Sequence, residues 1–165
     1  MTVRPILQWP DRRLRTAAAP VEAVTDEVRR IWQDMIDTMD AMPGVGLGAQ
    51  QIGVMLRLAV VDTSEARDTR IRLANPKVID ASAIMNVHEE ASPCLPGVSA
   101  RVSRPRGVRV RYLDESGAEV ERDFVGLDAT SVQHQIDHLD GKLYIDRLGK
   151  VKRDMLLRRA RKLNG

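Results

Sequence analysis

Cysteine occurs once in the 165 residues, at Cys94, so no disulfide can close within the chain, and a lone thiol fits a reducing compartment. No apolar run approaches the roughly 20 residues that a bilayer-spanning helix requires. The segment from Met1 to Ala19 is broken by Pro5, Pro10 and several arginines, and it lacks the apolar centre of a signal peptide. Net charge is also small. At +3, the sequence pI of 9.3 overstates how basic the protein is, and specific DNA binding does not follow from it. Internal repeats and low-complexity segments are missing as well. What is left is a cytoplasmic chain with no membrane contact. At 43% hydrophobic residues it can bury one good core, so a single domain is expected over 1–165.

The first 24 residues show no sustained period and are punctuated by Pro5, Pro10 and Pro20, as in an arm that wraps a body. Thr25 is a helix N-cap followed by Asp26 and Glu27, where the helix dipole favours acids. Val28, Ile31, Trp32, Met35, Ile36 and Met39 then keep the rhythm of a buried helical stripe until Pro43-Gly44 stops it. Gly44-Val-Gly-Leu-Gly-Ala-Gln-Gln-Ile-Gly53 packs four glycines into ten residues, as a tight turn or a place where a ligand approaches the main chain. Leu56 to Val61 reads as a buried strand, and Ile71 to Leu73 and Lys77 to Ile79 as two short ones separated by Pro76. A hairpin is expected from Arg106 to Tyr112 and Val120 to Phe124, turning at Asp114 to Gly117. The final basic helix, within 150–165, belongs to a stretch from Arg147 to Lys162 with eight cations against one acid, Asp154. It has two readings, a contact for ribosomal RNA and a solvated charged face.

Between these lies Gln133-His-Gln-Ile-Asp-His-Leu-Asp-Gly141, a helix from about Ala129 to Leu139 capped by Gly141. His134 and His138 stand four residues apart, which puts both imidazoles on one helical face. Such a pair can bind one transition metal, though many such pairs are only surface or core residues. Leu127, Ser131, His134 and His138 form a face that is small or polar, which suits a site. Cys94 can supply the third ligand of a zinc or ferrous site with an open fourth position. His88, in the strand-like Val87-His88-Glu89, reads as a surface or packing residue.

In order, Gly44-Val-Gly-Leu-Gly-Ala-Gln-Gln51, Cys94-Leu95 and His134-Gln-Ile-Asp-His138 resemble the three motifs of peptide deformylases, Gly-x-Gly-Leu-Ala-Ala-x-Gln, Glu-Gly-Cys-Leu-Ser and His-Glu-x-x-His. Arg104-Pro105 and Leu143-Tyr-Ile-Asp-Arg-Leu148 agree with the flanks, so the likeness runs from about Ile6 to Leu148. The resemblance implies an α+β fold, with mixed and antiparallel strands around a central metal-binding helix and a C-terminal helix. It implies Fe2+ or Zn2+ held by Cys94, His134 and His138, and water activated by the metal attacking the formyl group of an N-formylmethionyl peptide or nascent chain. Gln51 and the backbone N–H of Leu95 would face the oxyanion, while Val45, Gly46 and Leu127 would line the methionine pocket.

Departures fall inside the motifs. Gln135 replaces the glutamate that acts as general base, and a neutral amide cannot take a proton. Ser92-Pro93 stands where the family has Glu-Gly before the cysteine, and Cys94-Leu95-Pro96-Gly97 reads as two residues short of Cys-Leu-Ser-x-Pro-Gly. Gly48 replaces an alanine. These changes imply weakened or altered hydrolysis, or a metal- and peptide-binding relative without activity.

Overall fold

The computed structural model describes residues 2–164. Its elements are α1 (Asp26–Ala41), β1 (Gly46–Gly48), β2 (Leu58–Val61), β3 (Ile71–Ala81), β4 (Met85–Glu90), β5 (Ala100–Pro105), β6 (Gly107–Leu113), β7 (Glu119–Val125), α2 (Gly126–Leu139) and α3 (Lys150–Asn164). Short 3-10 turns occupy Arg12–Arg15, Ala49–Ile52 and Tyr144–Arg147. All strand pairs are antiparallel, in a five-stranded sheet ordered β1-β2-β3-β6-β7 and a separate β4-β5 pair. Among the described residues no helix is long and apolar enough to cross a membrane.

The two faces of β2 explain how the layers stack. Successive side chains of a strand point to opposite sides, and Leu58 and Val60 pack with the α1 stripe of Val28, Trp32, Met35 and Met39, while Ala59 and Val61 pack with Ala129, Val132, Ile136 and Leu139 of α2. The sheet is therefore filled between α1 and α2. A third cluster, Leu95, Val98, Val102, Leu143, Tyr144, Ile145 and Ala160, joins the β5 region to the inner edge of α3. Every residue of α2 from Ala129 to Leu139 is buried. That total burial is why its sequence shows no clean apolar stripe: this helix is packed on all sides, and its polar side chains must find partners inside.

Thr25 caps α1 as expected, its hydroxyl accepting from the Val28 N–H at 3.3 Å. Two expectations change. Ile71 to Ala81 is one strand, with a register shift between Ala74 and Lys77, so Pro76 sits at an irregularity of the ladder, where its missing N–H does least harm. The glycine-rich run is also more than a turn, since Gly46–Gly48 forms β1 along Ala59 to Val61. Its place against α2 favours glycine: a Cβ on Gly46 would lie 2.7 Å from the Ser131 hydroxyl and 2.6 Å from the Gln135 amide nitrogen, so both side chains would have to shift.

The N-terminal arm ties these layers together. Leu7 N–H donates to the Gln51 carbonyl at 2.8 Å, Trp9 N–H to Cys94 at 2.9 Å, and Ala18 N–H to Leu139 at 2.8 Å. It thus touches the glycine segment, the cysteine loop and the end of α2, the three places where the motifs lie. Gly141 lets it pass, with φ of +78° and a Cβ position only 2.8 Å from the Arg15 backbone.

Candidate metal centre and peptide pocket

His134 and His138 face each other from consecutive turns of α2, with their Nε2 atoms 3.1 Å apart. The Nδ1–H of His134 donates to Glu90 Oε1 at 2.8 Å, which leaves its Nε2 lone pair free for a cation. This carboxylate–imidazole pairing is the usual outer support of a metal-binding histidine. Burial holds the His138 imidazole neutral by pushing its pKa well below the usual 6.5, with the neighbouring His134, Arg104 and Arg15 acting in the same direction. A neutral imidazole is the ligand form. His138 Nδ1 is buried and has no hydrogen-bond partner.

Glu90 is anchored by more than the histidine. Arg104, almost wholly buried, grips it through Nε at 2.7 Å and Nη2 at 2.9 Å, and reaches Asp137 through Nη1 at 2.9 Å. Arg147 closes the far side on Asp137 at 2.6 and 3.0 Å. The charges of Glu90, Arg104, Asp137 and Arg147 are therefore spent on one another, and Asp137 is not free to serve as a base. Burial alone would raise the Glu90 pKa, but the bonds to His134 and Arg104 outweigh it and hold the carboxyl below its ordinary 4.5. A depressed acid stabilises the fold fully above its unfolded value, and that contribution disappears as pH falls through the folded value. Glu90→Gln should therefore be less stable than the parent at neutral pH, with the gap closing as the medium is acidified below about the usual carboxylate range. Urea unfolding of both proteins across this range reads the gap; a constant difference would show that the charge of Glu90 is not what stabilises the fold.

Cys94 is hydrogen-bonded to Gln51 and to neither histidine. Its Sγ accepts from the Gln51 amide at 3.4 Å, and burial raises the thiol pKa. Among the described residues no three His, Cys, Asp or Glu side chains are grouped as a metal-binding cluster. The atom that approaches His138 Nε2 from this loop is Ser92 Oγ, at 3.5 Å. Laid from Glu90, the motif Glu-Gly-Cys-Leu-Ser-x-Pro-Gly runs without a gap to Gly97, placing Ser92 at the cysteine, Pro93 at the leucine and Cys94 at the serine. The two-residue deletion read from the sequence is not needed, and the acid thought to be lost is Glu90.

The Leu95 N–H, expected to face the oxyanion, is engaged within the loop. Leu95 N–H donates to the Ser92 carbonyl at 3.0 Å, closing a turn, and its side chain lies in the cluster beneath α3. Pro93, which takes the place of the motif leucine, has no N–H. Gln51 keeps its position: its Oε1 accepts from Gly48 N–H at 2.8 Å, which orients the amide toward the cysteine loop.

Beside the histidines is a cavity of about 250 Å³ whose walls include Val45, Gly46, Gln51, Leu127, His134 and Gln135. The structure thus brings together six of the expected site residues, and leaves Cys94, Leu95 and His138 out of the cavity wall. Gln135 is buried, and its Oε1 has no hydrogen-bond partner. His88 is elsewhere, with Nδ1 2.8 Å from the Thr130 hydroxyl. Sequence reasoning missed Ser92, Glu90 and Arg104; the equal spacing from Glu90 to Pro96-Gly97 and from the motif glutamate to its Pro-Gly was the signal that could have found the first two.

The polypeptide deformylase family profile matches residues 3–154. The chain belongs to the peptide deformylase family. It is 43% identical over 164 residues to the peptide deformylase of Rhizobium meliloti, covering 98% of this chain and 94% of that one. The peptide deformylase of Ehrlichia chaffeensis in complex with actinonin superposes with a TM-score of 0.92 at 34% identity, covering 99% of each chain. A Legionella pneumophila peptide deformylase does so with a TM-score of 0.89 at 40% identity, over 98% of this chain and 95% of that one. The α+β architecture and C-terminal helix expected from the deformylase resemblance are those of the family. Peptide deformylases use a divalent metal, Fe2+ or Zn2+, in the removal of an N-formyl group. In this chain the paired imidazoles and their Glu90 support fit such an ion.

Proposed function

We propose that the chain recognises the N-formylmethionyl end of a peptide at the cavity beside His134, and that hydrolysis there is slower than family chemistry by two or more orders of magnitude. The observation that carries this reading is Gln135: a buried amide whose Oε1 has no partner, set in the cavity wall at the general-base position.

His134 and His138 would hold the divalent ion, which when bound supplies Lewis-acid polarisation and water activation. Gln135 Oε1 can accept a hydrogen bond from water or from the formyl amide N–H, so it positions a ligand. It cannot carry a proton from an attacking water to a leaving amine, and that help is worth roughly 100- to 10,000-fold. Gln51 remains as a donor toward a carbonyl oxygen, while Pro93 supplies none; losing one such donor costs on the order of 100- to 1,000-fold. Val45, Gly46 and Leu127 would take the methionine side chain, in a cavity sized for one side chain rather than for a drug-sized ligand. Binding groups are kept, and the groups that move protons or stabilise charge are thinned.

Calorimetric titration with formyl-Met-Ala-Ser and with Met-Ala-Ser tests the recognition half. The formylated peptide should bind at least about tenfold more tightly, the worth of roughly one good hydrogen bond. Equal affinities would remove the formyl group from the reading.

A further inference from the structure

We propose that Ser92, not Cys94, is the third protein ligand of the divalent ion, so that this chain offers a His-His-Ser donor set with no thiolate. The inference rests on the reading that His134 and His138 hold the ion, and it is independent of whether a peptide is cleaved.

Three observations carry it. Ser92 Oγ is the loop atom next to His138 Nε2, at 3.5 Å, and Ser92 is 5% exposed, so its hydroxyl is committed to the interior. Its hydroxyl also accepts from the Cys94 N–H at 3.3 Å, and its carbonyl from Leu95 at 3.0 Å; the tight turn so formed points the Ser92 side chain at the histidines. Cys94, two residues on, is directed to Gln51 by the same turn.

The chemical consequence follows from charge. Two imidazoles and a hydroxyl bring no negative charge to the ion, whereas a thiolate brings one and favours soft metals. Even changes outside the ligand set cost 10- to 100-fold in affinity, so replacing a thiolate by a hydroxyl should weaken zinc binding by more than about 100-fold. Together with Gln135, two groups that carry negative charge in the family pattern are neutral here. Glu90, bound to Arg104 and His134, remains as the nearest acid.

Cobalt(II) titration of the full chain reads the ligand directly, because a thiolate bound to cobalt gives a near-ultraviolet charge-transfer band and a hydroxyl does not. The parent should bind Co2+ without that band, Ser92→Cys should acquire it and compete more than about 100-fold better against a chelator, and Cys94→Ala should leave the parent spectrum unchanged. Ser92→Ala, which needs no extra space, should weaken Co2+ binding by about tenfold or more. A band in the parent that Cys94→Ala abolishes would overturn the proposal, as would Co2+ affinity unchanged in Ser92→Ala. Failure of both parent and Ser92→Cys to bind Co2+ would also overturn it, removing the ion and leaving the peptide titration to decide recognition separately.

Discussion

The double variant Ser92→Cys/Gln135→Glu, loaded with Fe2+ or Zn2+, is expected to cleave formyl-Met-Ala-Ser at least about 1,000-fold faster than the parent chain by kcat/KM. Gln135→Glu alone returns a group able to take and give a proton, worth roughly 100-fold or more. That carboxylate works only on water activated by an ion, and the ion is weakly held while Ser92 is the third ligand. The two changes should therefore exceed the product of their separate effects, as residues that act as a unit do. Gly46 contributes to the same expectation, because the space above it lets the side chain at 135 lie against β1. Additive effects, or full activity from Gln135→Glu alone, would mean that the ligand set is already complete.

Arg104→Ala should cost about 3–5 kcal/mol of stability, read from denaturant unfolding. The side chain is 2% exposed, and its removal leaves Glu90 buried without its cation and Asp137 with Arg147 alone. With total stability of a domain at about 5–15 kcal/mol, this is a large share of the fold. Arg104→Met should fare little better: it fills the volume, but Glu90 still lacks its cation and Asp137 keeps only Arg147. A loss below about 1 kcal/mol for either variant would show that the network orients His134 without holding the protein together.

Periodicity was enough for α1 and the β6-β7 hairpin because each has one buried face and one exposed one, and exposure patterns leave a trace in residue order; β2, buried on both faces, shows instead as the unbroken apolar run Leu58 to Val61. Helix α2 was legible for a different reason, its two histidines and its capping glycine. Pro76 misled, since a proline inside a strand normally ends it, and only the partner strand β6 reveals the irregularity that accommodates it. The site divides the same way. Gln51, His134, Gln135 and His138 lie in local motifs whose spacing maps directly onto a helix or a turn. The third ligand position belongs to a loop, where the residue facing the metal depends on which hydrogen bonds close the turn. Chemistry alone favours the thiol of Cys94, whereas the turn sets the Ser92 hydroxyl 3.5 Å from His138. Arg104 was quoted only as a flank, because a buried cation is identified by the two acids it joins, 14 and 33 residues away in sequence.

Recovering the bound peptide and weighing it tests the central claim most directly. The metal-loaded parent chain is incubated with excess formyl-Met-Ala-Ser, the complex is isolated, and the peptide is released in acid and its mass measured over time. Retention of the formyl group across many half-lives of binding is the predicted result. Peptide that emerges as Met-Ala-Ser at about one turnover per second or faster, the ordinary range of enzymes, would contradict it.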